Sequence, residues 1–80
     1  MTGNGYRTTY DYVELTVERR EDQWCLILKD SMHGETVEHE DRFETPAEAR
    51  DAALPFAQHH IFIQHNDTVP MRTTLSWSEY

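Results

Sequence analysis

Residues 10–29 read YDYVELTVERREDQWCLILK and contain two apolar runs separated by four charged residues. The first run alternates apolar and polar side chains, which predicts a half-buried strand over residues 10–19. Tyr10 and Tyr12 fall on the polar face of this strand. The second run, residues 23–29, is apolar on both faces, which is typical of a central strand. Because the link between them is short, we expect the two strands to pair as an antiparallel hairpin.

A turn and a third strand are expected next. Residues 30–34 begin with Asp30 and end with Gly34, both common in turns, and glycine adopts a positive φ without steric cost. Residues 35–43 alternate again but are far more polar than the first two strands. Such a composition suits the edge of a sheet, where charge discourages pairing with other chains.

The clearest local signal is the sequence Thr45-Pro46-Ala47-Glu48. Thr45 can cap a helix, Pro46 suits the first helical position, and Glu48 can bond back to the cap. These residues predict a helix with a small-residue stripe facing the sheet. Pro55 removes one backbone hydrogen bond from its interior. Because the stripe keeps its phase across Pro55, we expect a kinked helix that runs to about residue 60.

The rest of the chain is less regular. Residues 61–64 suit either a last helical turn or an extended exit, and the pattern leaves both open. Residues 65–70 have loop composition, and alternation over 71–77 permits a final strand. We therefore predict one α+β domain over residues 10–77, with a flexible N-terminus at 1–9 and a tail at 78–80. Its antiparallel sheet has three to four strands, with one helix packed on one face (β-β-β-α, with a possible C-terminal strand).

The predicted core lies between this sheet and the helix. On the second strand, we choose the face of Trp24, Leu26 and Leu28 over that of Cys25 and Ile27, because a large aromatic ring fills the space over an alanine-lined helix. The strand residues predicted to meet Ala49, Ala53, Phe56 and Ala57 of the helix are Val13, Leu15, Val17, Leu26, Leu28, Val37 and Phe43.

Charge and composition exclude several classes of protein. The 80 residues include 7 Lys and Arg against 15 Asp and Glu, for a net charge of −8. We therefore expect no binding to nucleic acid, which requires a basic face, or to an anionic membrane. A single cysteine, Cys25, forms no internal disulfide, and no signal peptide is visible, so we expect a cytoplasmic protein. A monomer or weak homodimer is expected, and no catalytic residue is predicted.

Five histidines raise the question of a metal site. Ligands on a helix share a face when they are three or four residues apart, whereas His59 and His60 are adjacent and point about 100° apart. His65 lies beyond the predicted helix end. We therefore predict solvated or helix-capping histidines, with no metal or cofactor and no stability gain from zinc. The alternative is a metal-binding protein or small enzyme that uses histidines and carboxylates, and metal binding by His59, His60 and His65 stays open.

The acidity of residues 35–51 is the most informative feature for function, because this segment has seven acidic residues and two arginines. We predict a docking surface for a basic partner protein, with charge steering the association. The alternative is a solvated face that keeps the domain soluble. The residues of this predicted contact surface are Glu35, Glu38, Glu40, Asp41, Glu44 and Glu48.

The pattern over about residues 10–60 resembles small bacterial domains. Three strands followed by the helix start at residues 43–52 resemble the N-terminal domain of the HicB antitoxins, a partial ribonuclease-H-like fold whose helix begins with T-x-E-E-A. Short bacterial βββα proteins with a tryptophan in the second strand and an F-x-T-x-x-E-A helix start are also similar. Their pattern is matched here by Trp24, Phe43, Thr45, Glu48 and Ala49. The resemblance implies an antitoxin-like module that acts through contact with a basic protein.

Overall fold

A computed structural model of the protein describes residues 5–80. All strand pairs are antiparallel, in the order β4-β3-β2-β1-β5, and helix α1 packs across one face. The predicted α+β class is confirmed, with five strands in the sheet. The elements are β1 (Gly5–Tyr10), β2 (Val13–Arg20), β3 (Gln23–Asp30), β4 (Glu35–Phe43), α1 (Pro46–Gln58), a π-helix (His59–Gln64) and β5 (Ser78–Glu79).

The N-terminal part of the sheet differs from the prediction. Residues 5–9, expected to be flexible, belong to β1, while residues 1–4 lie outside the described residues. The single strand predicted over residues 10–19 is divided because Asp11 takes a φ of 55° and turns the chain. Aspartate tolerates this left-handed conformation better than most residues. Tyr10 consequently ends β1 and is a core residue, 1% exposed, instead of lying on a polar face.

The third predicted strand, over residues 35–43, is β4 in the structure. Its predicted position at the edge of the sheet is confirmed, since β4 pairs only with β3 among the described strands. The register between them is irregular. Leu28 lies opposite Val37 and Trp24 opposite Phe43, with extra β4 residues accommodated between. The bulge keeps Val37 and Phe43 on the same side of the sheet while the edge strand bends.

Most of the predicted core is confirmed, including the choice of face on β3. Three predicted core residues, Trp24, Phe43 and Phe56, are half-buried at the margin of the core. Val37 is the exception, because it lies on the edge strand and stays 36% exposed. Tyr10 and Ile61 complete the core, whose other fully buried members are Val13, Leu15, Val17, Leu26, Leu28, Ala49, Ala53 and Ala57.

The predicted helix start is confirmed. The backbone N–H of Glu48 donates to Thr45 Oγ1 at 3.2 Å. The Glu48 carboxylate accepts from the Thr45 hydroxyl at 3.1 Å, and not from the Thr45 backbone N–H that the capping-box pattern predicts. The helix continues past Pro55, and residues 61–64 are helical but belong to a π-helix. In this geometry the N–H of residue i+5 bonds to the carbonyl of residue i, as His65 does with His60 at 3.1 Å.

The C-terminal segment also differs from the prediction. Residues 71–77 form no strand, because side chains and not a backbone ladder hold this segment. Tyr10 Oη accepts from the Arg72 N–H at 3.0 Å, and the Thr8 hydroxyl donates to the Ser76 carbonyl. The predicted tail instead contains β5, which pairs with β1. No helix within residues 5–80 is long and apolar enough to cross a membrane.

Candidate metal centre

Five side chains with metal-binding groups converge where β3 turns into β4. Asp30 ends β3, His33 lies in the turn, and Glu35 begins β4. His60 and His65 come from the π-helix and its C-cap. One donor atom from each of these five residues lies within 4.8 Å of all the others. We call this group the histidine–carboxylate cluster.

Asp30 is the buried centre of the cluster, with a side chain that is 0% exposed. Its Oδ2 lies 2.6 Å from His60 Nε2 and 2.7 Å from His33 Nδ1, and its Oδ1 accepts from the His33 backbone N–H at 2.8 Å. Burial alone raises the pKa of Asp30, but the hydrogen bonds from His60 and His33 outweigh it and lower the pKa to about 2. A buried carboxylate is therefore ionised at neutral pH.

Glu35 and His65 form the outer side of the cluster. His65 Nε2 is hydrogen-bonded to Glu35 Oε1 and lies 3.9 Å from Asp30 Oδ2. Glu35 Oε1 is also 3.9 Å from His60 Nε2. The His65 ring stacks on the His33 ring, with centroids 3.8 Å apart and planes at 11°. The three imidazoles are thus packed against one another as well as against the carboxylates.

Asp67 and Tyr12 form a second layer of polar groups beside His33 Nε2, the ring nitrogen that does not face Asp30. Asp67 Oδ2 lies 3.6 Å from His33 Nε2 and accepts a 2.6 Å hydrogen bond from the Tyr12 hydroxyl. Burial and this bond to Asp67 raise the pKa of the Tyr12 hydroxyl, which therefore stays protonated as a donor. The Asp67 N–H donates to the Ile61 carbonyl at 2.8 Å and anchors the loop. A carboxylate behind a histidine is the usual outer shell of a metal ligand.

Alpha-helical spacing does not predict this cluster. In the π-helix, His60 and His65 lie five residues apart yet have ring centroids 4.6 Å from each other. The prediction of solvated or helix-capping histidines is wrong for His60, whose side chain is buried and hydrogen-bonded to Asp30. The α-helical spacing rule does not include Asp30 and His33, which lie outside the helix. Their spacing of three residues across a turn, with the Asp30 carboxylate capping the His33 N–H, is the signal that was available.

The other two histidines lie outside the cluster. His59 is exposed on the π-helix. His39 packs against aromatic rings, with its centroid 4.8 Å from that of Phe56 and 5.3 Å from that of Phe43. These two residues serve as internal controls, because they have the same side chain without the converging partners.

The six acids of the predicted contact surface are all exposed. The side chains of three of them make contacts within the chain. Glu35 belongs to the cluster, Glu38 lies 3.3 Å from the Arg20 guanidinium, and Glu48 holds the helix cap. Glu40, Asp41 and Glu44 lie at the far end of β4 and just beyond it. A partner for these residues stays a prediction.

The chain matches no protein-family profile, no curated protein and no solved structure.

The distances between the donor atoms of the cluster suit a metal ion. In tetrahedral zinc sites the ligand distances of about 2.0 to 2.2 Å place neighbouring donors about 3.4 Å apart. The donor pairs with distances given above lie 2.6 to 3.9 Å apart, the His65–Glu35 pair lies closer, and all five donors lie within 4.8 Å of one another. These distances bracket the spacing of donors around a zinc ion.

Proposed function

We propose that the protein is a metal-binding domain that holds one divalent ion, zinc above all, at the histidine–carboxylate cluster. Asp30, His33, His60 and His65 supply four donors, and Glu35 supplies a fifth. The observation that carries the proposal is the convergence of these donor atoms from three separate parts of the fold. Three imidazoles favour zinc, nickel, cobalt or copper over magnesium and calcium, which prefer oxygen ligands.

The charge of the cluster supports a bound cation. With neutral imidazoles, Asp30 and Glu35 place two negative charges side by side in a chain of net charge −8, and the cluster contains no lysine or arginine. A divalent ion offsets both charges.

Bound metal would join parts of the chain that the backbone ladder leaves apart. The β3–β4 turn carries Asp30, His33 and Glu35, whereas His60 and His65 belong to the π-helix region. Because the unfolded chain has no preformed site, binding free energy adds to the stability of the folded state.

Isothermal titration calorimetry tests this proposal. The protein is dialysed against a chelator, freed of the chelator and titrated with zinc chloride. We expect saturable binding of one zinc per chain and no heat from magnesium. His60→Gln and Asp30→Asn should abolish the high-affinity phase, and His59→Gln should retain it. Equal loss of binding in His59→Gln, or absence of saturable binding in the natural sequence, would refute the proposal; circular dichroism checks that each variant is folded.

A second candidate function is contact with a basic protein through the acidic residues of β4 and the start of α1. The exposure of all six acids and the edge position of β4 support it, and the resemblance to HicB antitoxins points the same way. Reversal of Glu38, Glu40 and Glu44 to lysine should weaken capture of a partner, and added salt should slow association. A partner that is indifferent to both changes would exclude this function.

A further inference from the structure

The five donors of the cluster differ in how far solvent reaches them. The side chains of Asp30 and His60 are 0% and 7% exposed, and those of His65 and His33 are 19% and 29% exposed. The Glu35 side chain is 46% exposed, on the edge strand of the sheet. Glu35 is thus the donor that solvent or a solute can replace with the least disturbance of the core.

Asp30 and the three histidines provide four donors, and Glu35 provides a fifth. Zinc expands from four to five ligands in some sites, so the fifth donor can exchange while the other four keep hold of the ion. If Glu35 leaves, another carboxylate in its place keeps the charge around a divalent ion unchanged. An amine or a neutral ligand would not, so the arrangement favours an anionic oxygen donor.

A cleft of about 260 Å³ opens from this position. The cleft is lined by two members of the cluster, Glu35 and His60, by the apolar side chains of Val37 and Phe56, and by His59 and Gln64. An apolar cavity of about 150 Å³ is enough to hold benzene. The cleft therefore has room for a compact apolar body attached to a metal-binding head group.

From these observations, and resting on the proposed metal site, we infer that Glu35 is an exchangeable ligand. A small carboxylic acid with a compact apolar body takes its place on the metal and fills the cleft beside Val37 and Phe56. Benzoate represents this class. Acetate has the same head group without the body and serves as the matched comparison.

Cobalt-substituted protein gives the test, because the visible absorption of cobalt(II) reports its ligands. We expect benzoate to change the spectrum saturably, at about one-tenth of the acetate concentration or less, since burial of the ring adds to affinity. Val37→Trp, which fills the cleft, should remove this advantage. Met71→Trp, at an exposed residue that does not line the cleft, should keep it.

The outcomes separate the two proposals. A cobalt spectrum that forms but ignores benzoate, or responds equally to acetate and benzoate, overturns the inference and leaves the metal site standing. An equal benzoate response in the natural protein and in Val37→Trp also overturns the inference, since the benzoate ring then lies outside the cleft. Absence of any cobalt spectrum overturns the metal site and the inference together.

Discussion

The Nε2 atom of His60 lies 2.6 Å from the Oδ2 atom of Asp30, although 30 residues separate them in the sequence. Asp30 ends strand β3, and His60 lies on the π-helix. Both are buried. A buried hydrogen bond adds only modest net stability, because it replaces bonds that both groups make to water in the unfolded chain. We therefore interpret this contact as part of a site and not as a stabilising feature alone.

Zinc should stabilise the protein against heat. At a free concentration 100-fold above its dissociation constant, an ion that binds only the folded state adds about 2.7 kcal/mol. Thermal melts should therefore show a higher melting temperature with zinc, and excess chelator should reverse it. His59→Gln should respond like the natural sequence, whereas a rise that persists in His60→Gln would place the ion elsewhere.

Acid should destabilise the metal-free protein through Asp30. Its pKa is lowered from 3.8 to about 2 in the folded state, so its carboxylate stabilises the fold above pH 4. This contribution is lost as the pH falls from about 4 to about 2. Urea denaturation across this range should show a smaller decline in Asp30→Asn than in the exposed control Asp51→Asn. Identical pH profiles in both variants would show that Asp30 makes no such contribution.

Tyr12→Phe should weaken zinc binding without abolishing it. The change removes the hydroxyl that holds Asp67, and Asp67 in turn faces His33 Nε2. Loss of such an outer partner typically lowers metal affinity about 10- to 100-fold. Competition titrations with a zinc chelator measure the change, and Tyr80→Phe provides the control outside the cluster. Unchanged zinc affinity in Tyr12→Phe would show that Asp67 does not support the metal site through His33.

The π-helix should have one stabilising and one neutral isoleucine. Ile61 is 0% exposed and Ile63 is 70% exposed. Ile61→Ala should lower the free energy of unfolding by about 2 to 5 kcal/mol, because it leaves a cavity in the core. Ile63→Ala should change it by about 0.5 kcal/mol or less. Denaturant titrations compare the two, and equal losses would contradict the π-helical placement of residues 59–64.

The sequence predicts the features of the fold that depend on residues close together in the chain. The Thr45 cap, the face of β3 that carries Leu26 and Leu28, and the polar edge strand all follow from local pattern. Tyr10 and the division of β1 from β2 did not, because a single aspartate with positive φ at Asp11 leaves the alternation of apolar residues nearly intact.

The candidate site could not be predicted in the same way. Its donors come from a turn, an edge strand and a π-helix, and only folding brings them together. On an α-helix, side chains five residues apart point in different directions. In the π-helix, the His65 N–H bonds to the His60 carbonyl five residues earlier, and the two side chains lie on the same side. No sequence pattern in residues 59–65 predicts this bond.

Anomalous X-ray scattering from crystals grown with zinc tests the metal site most directly. Data collected above and below the zinc absorption edge locate the ion without reference to the protein coordinates. We predict one peak bounded by Asp30 Oδ2, His33 Nδ1, His60 Nε2 and His65 Nε2, at about 2.0 to 2.2 Å from these ligands, with Glu35 Oε1 or a solute in the fifth position. Absence of a peak at this point, or zinc bound only at His39 or His59, would contradict the account.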